Sequence, residues 1–301
     1  MEQPSSIKLL KNTVSDKPAS IVANLINQAW LQRLDWFDPQ AAFRLVHGTR
    51  DGLPDIFIDY LHGFVIMQSR SAASDEQLPF ICQALQTNLR VHTILIANDS
   101  LNRQIGNLPL YKVLIKGALP KDFSVEEIQG RYPYDAFEPE SFFPIEQRPL
   151  RTWLSQLTQH TNKVLVLGSR PEWLFDKTKT MPPCLMPKPV NQTLTGWAES
   201  LRNLPPGKYF DLIVLCLPTR FCDKRHQTGL GHILSGLLSR CQNEAYLMTQ
   251  SQGDISKLWR QISRKNAQTL IQLNQASSGP DFPTAANGMA SQFNLYRLTK
   301  N

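Results

Sequence analysis

The chain has 301 residues, 42% of them apolar and 19% charged, the make-up of an ordinary globular protein with room for two domains. It contains no run of about 18 apolar residues, which excludes a membrane-spanning helix, and the start Met1-Glu2-Gln3-Pro4 has neither the basic nor the apolar region of a secretory leader. The net charge is +7, and the five cysteines (Cys82, Cys184, Cys216, Cys222 and Cys241) follow no framework spacing, which fits reduced thiols in a cytoplasmic protein better than a disulfide scaffold.

Residues 1–18 are polar and aperiodic and read as a tail. A helix is predicted from Ala19 to Trp36, with a stripe of Ile21, Leu25, Trp30, Leu31 and Leu34, and Asp38-Pro39 ends it. Short strands follow at Phe43–Val46, Asp55–Tyr60 and Phe64–Ser69, joined by turns at Gly52-Leu53-Pro54 and His62-Gly63. A helix over Asp75–Leu89 and strands at His92–Ala97 and Tyr111–Lys116 complete a smaller N-terminal α/β domain, residues 19–131. Residues 132–149, rich in proline and aromatics, read as a linker.

The remaining stretch, 150–301, alternates strands and helices, which predicts a mostly parallel sheet. It opens with a helix over Leu150–Thr161 and a short apolar strand, Lys163–Gly168. Residues 176–190 are too proline-rich for a central strand. Helices at Thr193–Leu204, Gly229–Cys241 and Asp254–Lys265, the last capped by Asp254, flank strands at Tyr209–Leu217 and Glu244–Thr249. Thr269–Leu273 and Gln292–Leu298 close the sheet.

Three stretches carry a family resemblance. Phe43-Arg44-Leu45-Val46 followed by Asp51-Gly52-Leu53-Pro54-Asp55 and Ile56-Phe57-Ile58-Asp59 is the most distinctive. Ser141-Phe142-Phe143-Pro144-Ile145-Glu146-Gln147-Arg148 and Phe210-Asp211-Leu212-Ile213-Val214-Leu215-Cys216-Leu217-Pro218 extend it over nearly the whole chain from about residue 20. Together they resemble the PUA-containing class of large-subunit ribosomal RNA cytosine methyltransferases, without the PUA domain that precedes them there. The resemblance implies a Rossmann-like methyltransferase fold, S-adenosylmethionine (SAM) as methyl donor, and RNA as substrate.

The positions that would serve that chemistry depart from the family pattern. A SAM site needs glycines after the first strand so that backbone approaches the cofactor closely. Here Gly168-Ser169-Arg170-Pro171 leads to Glu172 and Trp173 at the two glycine positions, a carboxylate and a ring where the cofactor would lie. No acidic residue falls between Asp176 and Glu199 to hold the ribose hydroxyls. Cys216 and Pro218 stand in the family's Asp-Pro-Pro motif, so its carboxylate is gone. The thiolate that a 5-methylcytosine enzyme adds to the base is replaced by Gln252 in Thr249-Gln250-Ser251-Gln252. Gly168, Glu172, Trp173, Cys216 and Pro218 are therefore vestigial cofactor positions, and no catalytic residue is assigned. Cys216, Cys222 and His226 match no common zinc spacing, so no metal is assigned either.

Charge points to a partner. Residues 1–150 sum to −3 and residues 151–301 to +10, an asymmetry suited to phosphates. Arg148, Arg151, Arg170, Arg220, Lys224 and Arg225 lie in segments that the family places around its cleft, and are the expected RNA contacts. The expected protein is a catalytically degenerate methyltransferase relative acting as an RNA- or partner-binding module, with no cofactor. The alternatives are an active SAM-dependent RNA methyltransferase with an atypical pocket, and a structural subunit that pairs with itself or with an active relative.

Overall fold

The structure, a computed structural model, describes residues 16–89, 91–98, 112–118, 123–127, 129–135, 143–157, 161, 163–168, 173–176, 183–185, 193–217, 227–252, 255–266, 268–277, 279 and 291–300. Helix α1 spans Asp16–Leu34, so it begins inside the expected tail. Its buried face is Val22, Ile26, Ala29 and Arg33, while Ile21 and Leu31 of the expected stripe point to solvent. The i, i+4, i+7, i+11 spacing is helical, but a charged residue completes it. The Arg33 guanidinium donates to the Arg44 carbonyl at 2.9 Å and to Asp51 at 2.8 Å, which satisfies a charge that apolar patterning cannot foresee.

Strands β1 (Ala42–His47), β2 (Ile56–Leu61), β3 (Phe64–Ser69), β4 (Thr93–Asn98) and β5 (Lys112–Lys116) form a five-stranded sheet in chain order. Only the β3–β4 pair is parallel. Helix α3 (Leu78–Asn88) packs beside α1 on one face of this sheet. The single helix expected over 75–89 is split into α2 (Ala72–Asp75) and α3, with Pro79 in the first turn of α3, where its missing N–H costs nothing. The β2–β3 turn uses positive φ at His62 (53°) and Gly63 (81°), the geometry of a two-residue hairpin.

The segment expected as a linker begins inside a strand. β6 (Ser124–Glu127) and β7 (Gly130–Pro133) form a hairpin, and a 3-10 turn follows at Ile145–Gln147. Tyr132, Tyr134, Phe143 and Ile145 are buried against Ala42, Leu61, Ile66 and Leu95 on the second face of the first sheet. Its aromatics are a small core.

The second sheet has the order β12-β13-β11-β10-β8-β9, built from β8 (Val164–Leu167), β9 (Cys184–Leu185), β10 (Phe210–Cys216), β11 (Cys241–Gln252), β12 (Gln268–Ser277) and β13 (Ser291–Lys300). β9, β8, β10 and β11 run parallel, and β13 and β12 are antiparallel additions. β8 and β10 are adjacent, with Leu167 opposite Leu215 and both buried, as expected of the two most apolar runs. One face is covered by α5 (Leu194–Arg202), α6 (Gln227–Ser239) and α7 (Ser256–Lys265). The other is covered by α4 (Arg148–Leu157) and by Leu174 and Phe175. The N-cap position of α7 is Ile255, without a side-chain bond, which replaces the expected Asp254 cap; Asp254 lies outside the described residues.

Candidate functional site

In a parallel α/β sheet, ligands bind beyond the carboxyl ends of the strands, here the ends of β8, β10 and β11. Gly168 follows β8 with φ +91°, open to glycine and strained for other residues. A Cβ at Gly168 would come 2.1 Å from the Cys216 carbonyl and 2.4 Å from Cη2 of Trp197. The glycine lets backbone approach something closely, and what it approaches is the Cys216 carbonyl on β10 and the Trp197 ring. Trp197 sits on α5, whose start is fixed by Thr193 accepting from the Gly196 N–H at 3.1 Å, and it is 2% exposed within the helical-face core.

Trp173 is half-buried and meets Tyr134 edge-on at 6.2 Å, packed against the aromatic core of the first unit. Trp197 packs on Gly168 from the helical-face core. Its reach across β8 and β10 depends on tertiary packing that no periodicity in 193–204 encodes.

Cys216 ends β10, buried among Val164, Val166 and Met248, and pairs in register with Gln250. The Gln147 amide donates to Gln250 Oε1 at 2.7 Å, so the turn before α4 is bonded across the end of β11. Thr249 is buried beside it, with its hydroxyl lacking a hydrogen-bond partner among the described residues. Gln252 closes β11 and pairs with Ser291 through its backbone. Burial pushes the Cys82 and Cys184 thiols up to about 11 and the Cys241 thiol up to about 12, the reverse of what activates a nucleophile.

Two of the expected RNA contacts are committed internally. Arg151 is 0% exposed. It donates to both Glu127 oxygens and to the Pro144 carbonyl, and it faces the rings of Tyr132 and Phe143. Arg148 donates to the Ala42 carbonyl at 2.7 Å, lies 3.8 Å from Glu127 and stacks over Phe37. Arg151, withdrawn from water with its guanidinium bonded to Glu127 and Pro144, is not presented to a phosphate, whereas Arg148 keeps about a fifth of its side chain exposed. Arg170, Glu172, Pro218, Arg220, Lys224 and Arg225 lie outside the described residues. Among the described residues no group of three or more His, Cys, Asp or Glu could hold a metal ion, and no helix is long and apolar enough to cross a membrane.

The charges of the most distinctive stretch are also spent on structure. Arg44 pairs with Asp59 across β1 and β2, and Asp51 accepts from the His47 N–H at 2.6 Å besides holding Arg33. Two open grooves lie on the helical face, away from the strand ends. One, of about 560 Å³, runs between α5 and α6 past Leu194, Ala198 and Arg202; the other, of about 480 Å³, runs between α6 and α7.

A protein of Streptococcus mutans described as a SAM-dependent methyltransferase superposes with a TM-score of 0.68 at 13% identity, over 98% of this chain and 83% of that one. The fold is that of the SAM-dependent methyltransferases. A tRNA methyltransferase of M. jannaschii superposes with a TM-score of 0.53 at 9% identity, over 98% of this chain and 82% of that one. In sequence, the ribosomal RNA large subunit methyltransferase I of Cronobacter sakazakii is 32% identical over 101 residues, 34% of this chain. That stretch spans 25% of the length of the curated relative. No family model matches the chain. The resemblance to the large-subunit ribosomal RNA methyltransferases thus holds for a third of the sequence, and the methyltransferase fold for nearly all of it.

Proposed function

We propose that this methyltransferase-fold protein transfers no methyl group and acts by binding RNA. The observation that carries the reading is in the residues themselves: Glu172 and Trp173 stand at the family's two glycine positions and Gln252 at its nucleophile, while Gly168, just before them, is packed against Trp197 and the Cys216 carbonyl. The residues present do not fit SAM. The two glycines that would let backbone approach the cofactor are Glu172 and Trp173 here, Cys216 replaces a carboxylate at the end of β10, and Gln252 stands at the position of the nucleophile. RNA as partner is supported by the relatives, which are named for ribosomal RNA and tRNA, and by the +10 charge of residues 151–301. Arg220, Lys224 and Arg225 are its sequence-derived phosphate contacts.

Titration calorimetry with SAM tests the first half of the reading. No binding heat is expected below millimolar SAM. A saturable isotherm, with a thermal shift that follows mass action, would replace the reading with an active enzyme of atypical pocket. Retention of RNA at low salt tests the second half, and its absence would favour a structural subunit.

A further inference from the structure

Helix α7 presents two unlike faces. Trp259, Ile262 and Ser263 are buried against the sheet and α6, whereas Lys257, Arg260, Gln261, Arg264 and Lys265 are exposed. Positions 257, 260, 264 and 265 fall on one side of a helix, and at 1.5 Å per residue the row is about 12 Å long. Between Ile255 and Asn301 the sequence holds six Lys or Arg and a single acidic residue, Asp281. Of the six, Arg297 pairs with Glu244 and Lys300 lies over the Tyr209 ring. The other four are the row on α7. Among the described residues, no carboxylate pairs with Lys257, Arg264 or Lys265.

Helix stability does not account for the row. Arg264 and Lys265 in the last turn suit the helix dipole, but Lys257 in the first turn opposes it, and no acidic residue stands among the described residues of that turn. The apolar side of α7 is consumed by the core, so the helix has none to insert into a bilayer. Beside the row runs the groove between α6 and α7, walled by Thr228, His232, Ser235, Gln261 and Asn266 and flanked by Lys265. Cations along one edge of a groove whose floor includes Leu258 and Ile262, with hydroxyl, imidazole and amide groups between them, match a phosphodiester with its sugar and base alongside.

We propose that the exposed face of α7, with the α6–α7 groove, is a binding surface for the backbone of single-stranded RNA. It rests on the reading of the chain as an RNA binder and places the contact on the helical face, away from the strand ends. Three variants of the full chain are compared by fluorescence anisotropy with a short labelled single-stranded RNA. They are the wild type, Lys257→Glu/Arg264→Glu/Lys265→Glu, and a control of equal charge change at the exposed Lys163, Lys208 and Arg202, each checked for an unaltered melting curve. The expected result is a loss of about tenfold or more in the α7 variant alone, with its log–log salt slope shallower by about 2, since each backbone contact contributes about 0.7. Unchanged affinity in the α7 variant while the wild type binds would overturn the helical-face surface and leave RNA binding standing. Equal losses in both variants would reduce the effect to net charge and also overturn it. Failure of the wild type to bind would remove the RNA reading itself. Polyglutamate binding as tightly as RNA would assign the surface to an acidic protein.

Discussion

The Arg151 guanidinium donates to both carboxylate oxygens of Glu127, at 2.7 and 2.5 Å, and so ties the first helix of the second unit to the β6–β7 hairpin. Both side chains are almost wholly withdrawn from water. Arg148 approaches the same carboxylate and continues to the Ala42 carbonyl on β1. Through these contacts and the Gln147–Gln250 bond, the first sheet, the hairpin and the strand ends of the second sheet are parts of one arrangement.

Arg151→Met or Glu127→Gln alone leaves its partner as an uncompensated buried charge and is expected to cost about 3–5 kcal/mol. The double variant, uncharged at both positions, should recover most of that loss. Urea unfolding of the four proteins decides it: additive losses in the double variant would show that the two side chains act separately.

Gly168→Ala combines a positive φ with a Cβ pressed on the Cys216 carbonyl and the Trp197 ring. A loss of at least about 2 kcal/mol is expected from the strain. Trimming the ring with Trp197→Phe should not restore stability, because the 2.1 Å approach is to backbone. Rescue by the second substitution, read from urea midpoints, would show that the indole alone imposes the glycine.

His47 has its pKa lowered to about 4 from 6.5, by burial first and by the nearby Arg44 second. The unfolded chain therefore takes up this proton more readily than the folded one. The contribution is present in full above pH 6.5 and is lost as pH falls from 6.5 towards 4. Stability of the wild type should drop across that window, and His47→Gln should flatten that part of the profile. An unchanged slope in the variant would assign the titration to another group.

The strands of both sheets were legible because apolar runs such as Leu212–Leu215 and Val164–Leu167 are short and bounded, and parallel neighbours buried on both faces need no alternation. The turn chemistry of Asp51-Gly52-Leu53-Pro54 was legible too, since Gly52 takes φ +77°. Charged residues were misread. Arg33, Arg148 and Arg151 have the composition of a surface, yet each engages a carboxylate and a carbonyl on other elements of the fold. Glu126-Glu127, acidic residues in a tight hairpin facing a helix that opens with two arginines, was the signal for the last two. Trp197 was missed for a different reason: its neighbours Gly168 and Cys216 come from two strands, and only the sheet order brings them together.

The bond from Gln147 to Gln250 also sets an order of events. Arg148 can reach the Ala42 carbonyl as soon as α4 exists, because β1 precedes it by 106 positions, but Gln147 must wait for a residue 103 positions later. At about 5–20 residues per second of synthesis, that wait is about 5–20 s. During it the first sheet and its aromatic core are already made, while β8 waits for β10, its one long neighbour, until residue 216. A nascent chain of this protein therefore carries a finished N-terminal half joined to an apolar strand without its sheet, the stage at which a chaperone has most to cover.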